Sequence, residues 1–327
     1  MPGTPIRPKQ ATSNPSTKPD PNVKIENPSC LDFPVYMMCF PHTWDTDDPN
    51  NWFMQHLSQE EIDENFAKAY GQWMTLYGWL SSENTLVHIL PPAGDYPDQV
   101  YVANTFLMLC HLPKPVAVIA NMQSPPRKGE EKIARVYFEA CGYPVDRPPY
   151  TWEGEAELKL QKDNIYTGGY GLRTDIRALE WFEEKFDMKV VKCRMTDEKC
   201  YHWDCLYHPL TADKALVAVD LLEKKDVKEI EKVCEIIPVS TKLAHAGTTN
   251  LVRTVSLLLV ASSLQALKKG TKEWDEEMEK EAFLSKVCAK NGLELVAVDL
   301  SEFEKSGAAC SCLVGHINDA ARAQPIV

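Results

Sequence analysis

The stretch Tyr201-His202-Trp203-Asp204 places reactive side chains directly before an apolar segment that is typical of a β-strand. Four other segments repeat this arrangement, and the numbering gives gaps of 49, 49, 48 and 62 residues between successive marked positions. A nearly constant internal period indicates an architecture built from repeated structural units. The five marked residues are Asn104, Glu153, His202, Asn250 and Cys312.

The segments between the marked residues share one order of predicted elements. The unit that follows Glu153, for example, has predicted strands near 156–160 and 164–167, a helix over 175–186 and a strand over 188–193. Strands mixed with intervening helices indicate the α/β class. Because a closed ring leaves no unit without a neighbour, five such units favour ring closure. We therefore predict a five-bladed pseudo-symmetric α/β propeller built from ββαβ units.

Two regions depart from the simple repeat. Before the first marked residue, a strand over 35–40 is followed by the sequence Ser58-Gln59-Glu60-Glu61, which is typical of a helix-capping box. Apolar residues at intervals of three to four then predict an amphipathic helix over 62–80. In the last repeat, a charged insertion near 266–280 is expected before a helix that ends close to Asn291.

Composition limits the class of protein. A chain of 327 residues with 44% hydrophobic content can bury a large core, and we predict one catalytic domain over 31–327. The net charge of -12 argues against a nucleic-acid-binding surface, which needs clustered Lys and Arg. Eleven cysteines without a Cys-x-x-Cys pair favour a reduced, cytoplasmic protein. No apolar run is long enough to span a membrane.

The first thirty residues differ from the rest of the chain. Residues 1–30 are rich in Pro, Ser, Thr, Lys and Asn and contain few apolar side chains. Such a segment cannot offset the entropy cost of ordering, so we predict a disordered tail. It lacks the apolar core of a secretory signal peptide.

Three of the marked residues form a set with known chemistry. A Cys–His pair supported by a carboxylate is a nucleophilic arrangement, in which the imidazole lowers the thiol pKa or moves protons and the carboxylate orients the imidazole. Taken singly, Glu153, His202 and Cys312 each have an ordinary structural interpretation, but their equivalent positions favour a shared site. The alternative of a zinc cluster over 200–205 fits no paired-ligand spacing, so no metal or cofactor is expected.

Several segments, in order along residues 34–320, resemble the amidinotransferase superfamily, the guanidino-modifying enzymes of the pentein fold. The resemblance is greatest to arginine dihydrolases and their dimethylargininase-like relatives, and it implies the five-unit ring described above. The segments that carry it are Asp98-Gln99-Val100-Tyr101-Val102-Ala103-Asn104, Glu153-Gly154, Gly169-Tyr170-Gly171-Leu172-Arg173-Thr174-Asp175, Tyr201-His202-Trp203-Asp204, Ser306-Gly307 and Cys312-Leu313.

The resemblance implies a role for each matching catalytic residue. Cys312 stands at the position of the nucleophile, His202 at that of the general acid and base, and Glu153 at that of the carboxylate that holds the imidazole.

It also implies four substrate contacts. Asp204 stands where a carboxylate binds the substrate guanidinium, and Asn104 occupies a position where deiminases and dimethylargininases carry a second Asp but dihydrolases carry Asn. Arg173 matches the arginine that binds the substrate carboxylate, and Asn50 matches an asparagine that contacts substrate in the dihydrolase branch.

The implied function is hydrolysis of the guanidino group of arginine or a derivative through a covalent thiouronium on Cys312. Asn104 favours continuation to ornithine, carbon dioxide and ammonia. Alternatives are a dimethylargininase or deiminase that forms citrulline, an amidinotransferase, and a catalytically silent pentein. The last is raised by departures from the family pattern at Glu157 and Ala308; Ala156 and Trp203 depart from it as well. The expected partner is a small guanidino compound, and the sequence leaves open whether the chain forms a homo-oligomer.

Overall fold

The computed structural model describes residues 31–47, 49–58, 66–82, 84–94 and 96–323. The predicted tail over 1–30 therefore lies outside the described residues. The same holds for most of the predicted capping box and for the first four residues of the helix predicted over 62–80.

Fifteen strands within the described residues form five three-stranded sheets, and all five sheets share one connectivity. In each sheet the central strand is antiparallel to one neighbour and parallel to the other. The orders are β15-β1-β2, β3-β4-β5, β6-β7-β8, β9-β10-β11 and β12-β13-β14. The strands are β1 Val35–Cys39, β2 Leu86–Leu90, β3 Phe106–Leu109, β4 Val116–Ile119, β5 Val145–Asp146, β6 Leu158–Lys162, β7 Ile165–Tyr170, β8 Lys189–Arg194, β9 Tyr207–Thr211, β10 Lys214–Val217, β11 Glu235–Pro238, β12 Leu251–Arg253, β13 Leu257–Ala261, β14 Glu294–Val298 and β15 Gly315–His316.

A helix connects the two parallel strands of every sheet, because parallel neighbours need a crossover that a tight turn cannot supply. The predicted ββαβ unit and its α/β class are thus confirmed at the level of the individual sheets. The crossover helices are Phe66–Ser81, Glu130–Ala140, Ile176–Lys185, Lys224–Glu231 and Lys272–Lys290, and the shorter helices are Thr241–His245, Ser301–Glu304 and Ala320–Ala323.

The prediction of a charged insertion over 266–280 is wrong from Lys272 onward. The helix Lys272–Lys290 begins there, and the Thr271 hydroxyl caps it by accepting a hydrogen bond from the backbone amide of Trp274. Lys280 is buried and donates to the Ala246 carbonyl oxygen at 3.0 Å and to Glu277 at 2.8 Å. The dense charges of this segment therefore belong to an ordered helix.

The first and last strands belong to the same sheet, since β1 pairs with both β2 and β15. Next to β15, the buried side chain of Asn318 accepts a hydrogen bond from the Val35 amide at 3.0 Å and donates to the carbonyl oxygens of Leu31 and Phe33. The two ends of the described chain are thereby joined by strand pairing and by one polar side chain.

Four of the five marked residues lie in or immediately before a turn of 3-10 helix, where the sequence predicted that a strand begins directly. The turns are Val102–Asn104, Gly154–Glu157, Trp203–Cys205 and Ser311–Leu313. Gly154 has a φ of +69°, and a Cβ there would clash with the Ala103 carbonyl oxygen. A side chain at this position would therefore separate two of the turns that carry the marked residues.

Within the described residues, no helix combines the length and the apolar character needed to cross a membrane.

Candidate active site

Glu153 and His202 form a buried pair. Glu153 precedes the turn Gly154–Glu157, is fully buried, and accepts a hydrogen bond from His202 Nε2 at 2.8 Å through Oε2 and one from the Gln123 amide at 3.1 Å through Oε1. Because Nε2 is bound to a carboxylate, it carries the imidazole proton, and Nδ1 is left as the acceptor. Asn104 Nδ2 lies 3.5 Å from Nδ1.

Electrostatics assign charges to this pair. Burial opposes ionisation of Glu153, but the hydrogen bond from His202 and the charge of Arg173 outweigh it and hold the pKa of Glu153 well below its usual range. Burial lowers the pKa of His202 despite the opposing effect of Glu153. At neutral pH the carboxylate is therefore charged and the imidazole is neutral.

Cys312 lies in the turn Ser311–Leu313 and is 5% exposed. Asn250 holds this turn, because its Nδ2 lies 3.4 Å from Cys312 Sγ and its Oδ1 accepts a hydrogen bond from the Ser311 amide at 2.9 Å. Burial, together with the charge of Asp204, raises the pKa of Cys312 to about 12. The expectation that the imidazole lowers this pKa is therefore wrong for the structure as it stands.

Asp204 connects the histidine and cysteine segments. It is 1% exposed, lies two residues after His202, and accepts a hydrogen bond from the Ser311 hydroxyl through Oδ2. Its charge favours protonation of both His202 and Cys312. This carboxylate therefore acts on the imidazole and on the thiol together.

A second buried network surrounds Asn104. Its Oδ1 accepts a hydrogen bond from Arg127 Nη1 at 3.2 Å, and Arg127 is paired with Glu130 at 2.8 Å and with Asp98 at 3.5 Å. Asn50 Nδ2 donates to the same Asp98 at 2.7 Å. The sequence analysis assigned no role to Arg127 or Asp98, although Asp98 opens one of the segments that carry the family resemblance.

Arg173 contacts the catalytic pair directly. Its Nη1 donates to Glu153 Oε2 at 3.0 Å, its Nη2 donates to the Asn50 carbonyl oxygen at 2.7 Å, and its guanidinium stacks 4.9 Å from the centre of the Tyr201 ring. Arg173 and His202 thus share one oxygen of Glu153. This pairing joins the residue expected to bind a substrate carboxylate to the residues expected to do chemistry.

These side chains enclose a small cavity with a free volume of about 10 Å³. That volume is roughly the space of one water, so a larger ligand needs the walls to move. Asn50 and Arg173 also line an adjoining pocket of about 520 Å³ and stand between the two spaces. The cavity is lined by Asn50, Asn51, Asp98, Tyr101, Asn104, Arg127, Arg173, Tyr201, Ser306, Ala308 and Cys312.

The structure brings all seven predicted site residues to this region. Cys312, Asn104, Arg173 and Asn50 line the cavity, and the remaining three lie directly behind its wall. Five further lining residues, Arg127, Asp98, Tyr101, Tyr201 and Ser306, were not predicted from the sequence, and the contact of Asn250 with Cys312 was not predicted from its spacing.

Glu157, one of the departures from the family pattern, is buried beside the catalytic pair. Its carboxylate lies 3.7 Å from His202 Nε2, and within the described part of the chain neither of its oxygens makes a hydrogen bond of ordinary geometry. Burial and the charges of Glu153 and Asp204 raise the pKa of Glu157 well above its usual range, although the Trp203 amide opposes the shift. Burial and these charges therefore favour the protonated, neutral form of Glu157.

One group of potential metal ligands occurs in the described residues, and it lies outside the Cys312 cavity. Asp197, Cys200 and His245 place their ligand atoms within 4.8 Å of one another, and Asp197 already accepts a hydrogen bond from His245 at 3.0 Å. Burial raises the pKa of Cys200 to about 12, which disfavours the thiolate that a metal needs. His202, by contrast, is held by Glu153 and is not part of such a group.

Comparison with known proteins identifies the family. Residues 39–318 match the family model described as N,N dimethylarginine dimethylhydrolase, eukaryotic. The bifunctional arginine dihydrolase/ornithine cyclodeaminase AgrE of Nostoc sp. is 26% identical over 294 residues, which is 88% of this chain but 38% of AgrE. The chain thus spans well under half of that relative. The N(G),N(G)-dimethylarginine dimethylaminohydrolase of Mycobacterium tuberculosis is 29% identical over 143 residues, 44% of this chain and 45% of that protein.

Solved structures agree on the fold. The product-bound N-terminal domain of ArgZ, a cyanobacterial arginine dihydrolase, aligns with a TM-score of 0.75 at 24% identity and covers 87% of this chain and 97% of that domain. A dimethylarginine dimethylaminohydrolase adduct with S-methyl-L-thiocitrulline aligns with a TM-score of 0.65 at 19% identity and covers 87% of this chain and 99% of that one. Together with the family match over residues 39–318 and the curated relatives, they confirm the predicted pentein-superfamily resemblance.

Proposed function

Because the chain belongs to the eukaryotic N,N-dimethylarginine dimethylhydrolase family, we propose that it hydrolyses the guanidino group of arginine or of an arginine derivative. The observation that carries this proposal is the buried Glu153–His202 pair beside the cavity that contains Cys312. A cysteine, a histidine and an orienting carboxylate are the parts that nucleophilic C–N hydrolysis needs.

Substrate binding is the first step of the proposed mechanism. A guanidinium is planar and delocalised and resists attack, so the groups around it must both hold it and localise its charge. Asp204 and Asn104 take this role, one as a carboxylate and one as a neutral amide. A cation beside Cys312 favours the thiolate and offsets the burial that raises the pKa of the thiol.

Chemistry then proceeds in two halves. His202 Nδ1 accepts the thiol proton, Cys312 Sγ bonds to the central guanidino carbon, and the C–N bond to the departing amine breaks as His202 returns the proton to that amine. The enzyme is left as an S-alkylthiouronium. His202 next takes a proton from water, the resulting hydroxide adds to the same carbon, and the C–S bond breaks to release a ureido product and restore Cys312.

Arg173 and Asn50 are proposed to hold the amino-acid end of the substrate. Both stand between the closed cavity and the open pocket, which is where the end remote from Cys312 would lie. Arg173 offers a planar donor fork suited to a carboxylate. When substrate binds, Arg173 would replace part of its hydrogen bonding to Glu153 and to the Asn50 carbonyl oxygen with hydrogen bonds to the substrate carboxylate.

Asn104 favours a second hydrolysis. An unpaired buried carboxylate costs several kcal/mol beside a neutral ureido group, whereas an amide at Asn104 can hydrogen-bond to it. We therefore propose that arginine is converted to ornithine, carbon dioxide and ammonia. The second candidate is release of methylamine or dimethylamine from methylated arginine, and the family match favours it.

The test is product analysis with isotopically labelled arginine and with dimethylarginine, using the wild type and Asn104→Asp. We expect labelled carbon dioxide and ornithine from the wild type and accumulation of citrulline from the variant. Citrulline as the only wild-type product would make the protein a deiminase, and turnover of dimethylarginine alone would make it a dimethylargininase. Transfer of the amidino group to an added amine would favour an amidinotransferase, and no turnover of any guanidine would favour a silent pentein.

We further propose that the five sheets close into a ring within one domain over 31–327. The pairing of β1 with β15 and the contacts between successive marked turns support this arrangement. Closure would place the five marked residues around one axis, with Cys312, His202 and Glu153 at the same end of it.

A further inference from the structure

A second cavity, which shares no lining residue with the Cys312 cavity, is built from equivalent strands of the repeat. The strands β3, β6, β9, β12 and β15 occupy the same edge of their five sheets, and each contributes a residue to this cavity. Four of the five contributions are basic. The five contributed residues are Met108, Lys159, His208, Arg253 and His316. The free volume of about 60 Å³ holds a few waters or one small ion.

Arg253 is a buried cation that makes no salt bridge with the described residues. Its side chain is 3% exposed, and its Nη1 donates to the Leu210 carbonyl oxygen. In the part of the chain that the structure describes, its Nε has no hydrogen-bond partner and no carboxylate lies within salt-bridge distance of it. Burying a charge costs free energy unless the charge is paired, so a hydrogen-bond acceptor beside this guanidinium would stabilise it.

His208 is a second unsatisfied group on the same wall. It is 7% exposed, and its Nε2 has no partner among the described residues. Burial lowers its pKa well below the usual range, and the nearby charges of Lys159 and Arg322 lower it further. Burial, with the charge of Arg322, also lowers the pKa of Arg253 to about 10. Cations thus face one another across the cavity.

The carboxylates at this cavity are already engaged. Glu155 binds Lys159 at 3.0 Å and His316 Nδ1 at 2.8 Å, and its other oxygen accepts from the His316 amide at 2.8 Å. Asp319 accepts from Arg322 at 2.7 Å. Three permanent cations, Lys159, Arg253 and Arg322, therefore face two carboxylates and leave one positive charge without a partner.

We propose that this cavity binds a small oxyanion, with its oxygens accepting hydrogen bonds from Arg253 Nε and from the Nε2–H tautomer of His208. Inorganic phosphate, sulfate and a free carboxylate share the chemistry that the cavity recognises. Tetrahedral oxyanions suit a site that receives donors from several strands, whereas a carboxylate pairs best with a single planar fork. The site is independent of the chemistry proposed at Cys312.

The test is calorimetric titration of the full chain with sodium phosphate, sulfate and acetate at constant ionic strength. Wild type should bind phosphate or sulfate at one site per chain, and Arg253→Met should weaken that binding at least tenfold. Arg135→Met is the matched control, because Arg135 is exposed and pairs with Glu139 on a helix surface. Tighter binding of acetate than of phosphate would identify a carboxylate as the ligand.

Three outcomes would overturn the proposal: no saturable binding by wild type, equal affinity in Arg253→Met, or equal losses in the Arg253 and Arg135 variants. If Arg253→Met does not fold, His208→Phe removes the other donor and should also weaken binding at least fivefold. Crystals grown with selenate give a readout that needs no variant. An anomalous peak beside Arg253 Nε is expected, and a peak only at other positions would contradict the site.

Discussion

At the scale of single residues, burial decides the charges of the catalytic set. Glu153 is an anion, His202 is neutral, and the Cys312 thiol is protonated at neutral pH, each because of neighbours in the structure. In the free site, both the Cys312 thiol and the His202 imidazole are therefore uncharged at neutral pH. A cationic substrate would shift that balance toward the thiolate, which ties ionisation of the nucleophile to binding.

The first prediction concerns the nucleophile. Alkylation of Cys312 by iodoacetamide in the free protein should be slow at neutral pH and rise with pH, because the thiol pKa is raised to about 12. Asp204→Asn should move this profile to lower pH, since the Asp204 charge opposes the thiolate. Labelling at a series of pH values, followed by quenching and mass spectrometry, measures the alkylation rate of Cys312 in the wild type and in Asp204→Asn.

Cys312→Ser should lose the label and reduce turnover by roughly 10³-fold or more, because a hydroxyl is a far weaker nucleophile. Cys310→Ser is the control: Cys310 is fully buried in the core, so this variant should keep most of its turnover. Rapid labelling of Cys312 at neutral pH would contradict its raised pKa. Loss of turnover in the Cys310 variant alone would show that Cys310, and not Cys312, is the nucleophile.

The second prediction concerns Arg173. Arg173→Ala should raise KM for amino-acid substrates more than it lowers kcat, because the residue binds a group remote from the reacting carbon. Some loss of kcat is expected as well, since Arg173 also holds Glu153. Steady-state kinetics with arginine and agmatine separate the effects, because agmatine lacks the carboxylate and should be a poor wild-type substrate.

Arg177→Ala is the control for this variant, because Arg177 lies four residues away and pairs with Asp175 on the surface. It should leave both constants within about twofold of wild type, as expected for a surface substitution. Comparable wild-type rates with agmatine and arginine would sink the carboxylate role of Arg173.

At the scale of elements, the 3-10 turn Gly154–Glu157 places two buried carboxylates in opposite environments. Glu155 faces Lys159 and His316, and although burial opposes ionisation, these basic neighbours hold its pKa well below the usual range. Glu157 faces Glu153 and Asp204, and burial raises its pKa. Two residues of one turn thus respond to pH with opposite signs.

The third prediction follows from that contrast. Above the unfolded pKa, the unfolded chain releases the Glu157 proton while the folded chain keeps it, so the group destabilises the fold as pH rises. Glu157→Gln should therefore raise the free energy of unfolding at neutral pH and flatten its decline toward alkaline pH, because the glutamine side chain has no proton to lose in the unfolded chain. Urea denaturation at mildly acidic and neutral pH measures this.

Glu155→Gln is the matched variant, with the opposite expected sign. The lowered pKa of Glu155 contributes stability that is present above the unfolded pKa and is lost as pH falls, so this variant should be destabilised at neutral pH. Parallel changes in the two variants would show that packing, and not charge, controls this turn.

At the scale of the whole molecule, one polar side chain joins the beginning and the end of the described fold. Asn318 satisfies the Val35 amide and the carbonyl oxygens of Leu31 and Phe33, close to where β15 pairs with β1. Strand pairing between the ends of a chain makes folding depend on contacts of high sequence separation.

The fourth prediction tests this link. Asn318→Ala should lower the free energy of unfolding by about 2–4 kcal/mol, because each unsatisfied buried polar group costs about 1–3 kcal/mol. Urea denaturation measures the change. Asn164→Ala is the control, since Asn164 makes comparable bonds to Asp187 at an exposed position and should cost less than about 1 kcal/mol. Equal costs would remove any special role for the junction.

The repeat, the α/β class and the Cys–His–carboxylate set could be predicted because they depend on local patterns, whereas the four substrate contacts were implied by the family resemblance. Alternation of apolar residues and helix periodicity specify each ββαβ unit within a short window. The 3-10 turns and the start of the helix Lys272–Lys290 were missed, since a turn of three residues has no period and a charged helix surface resembles an insertion.

The sequence by itself determined the repeated unit and, through its resemblance to a known family, the family and seven candidate site residues. Only the tertiary structure decided which side chains meet: Arg127 with Asn104, Asn250 with Cys312, and Arg173 with Glu153. It alone decided the protonation of Cys312 and the unpaired charge of Arg253. The physical reason is that pKa values and ion pairing depend on burial and on neighbours that are distant in sequence, and neither is written in a local pattern.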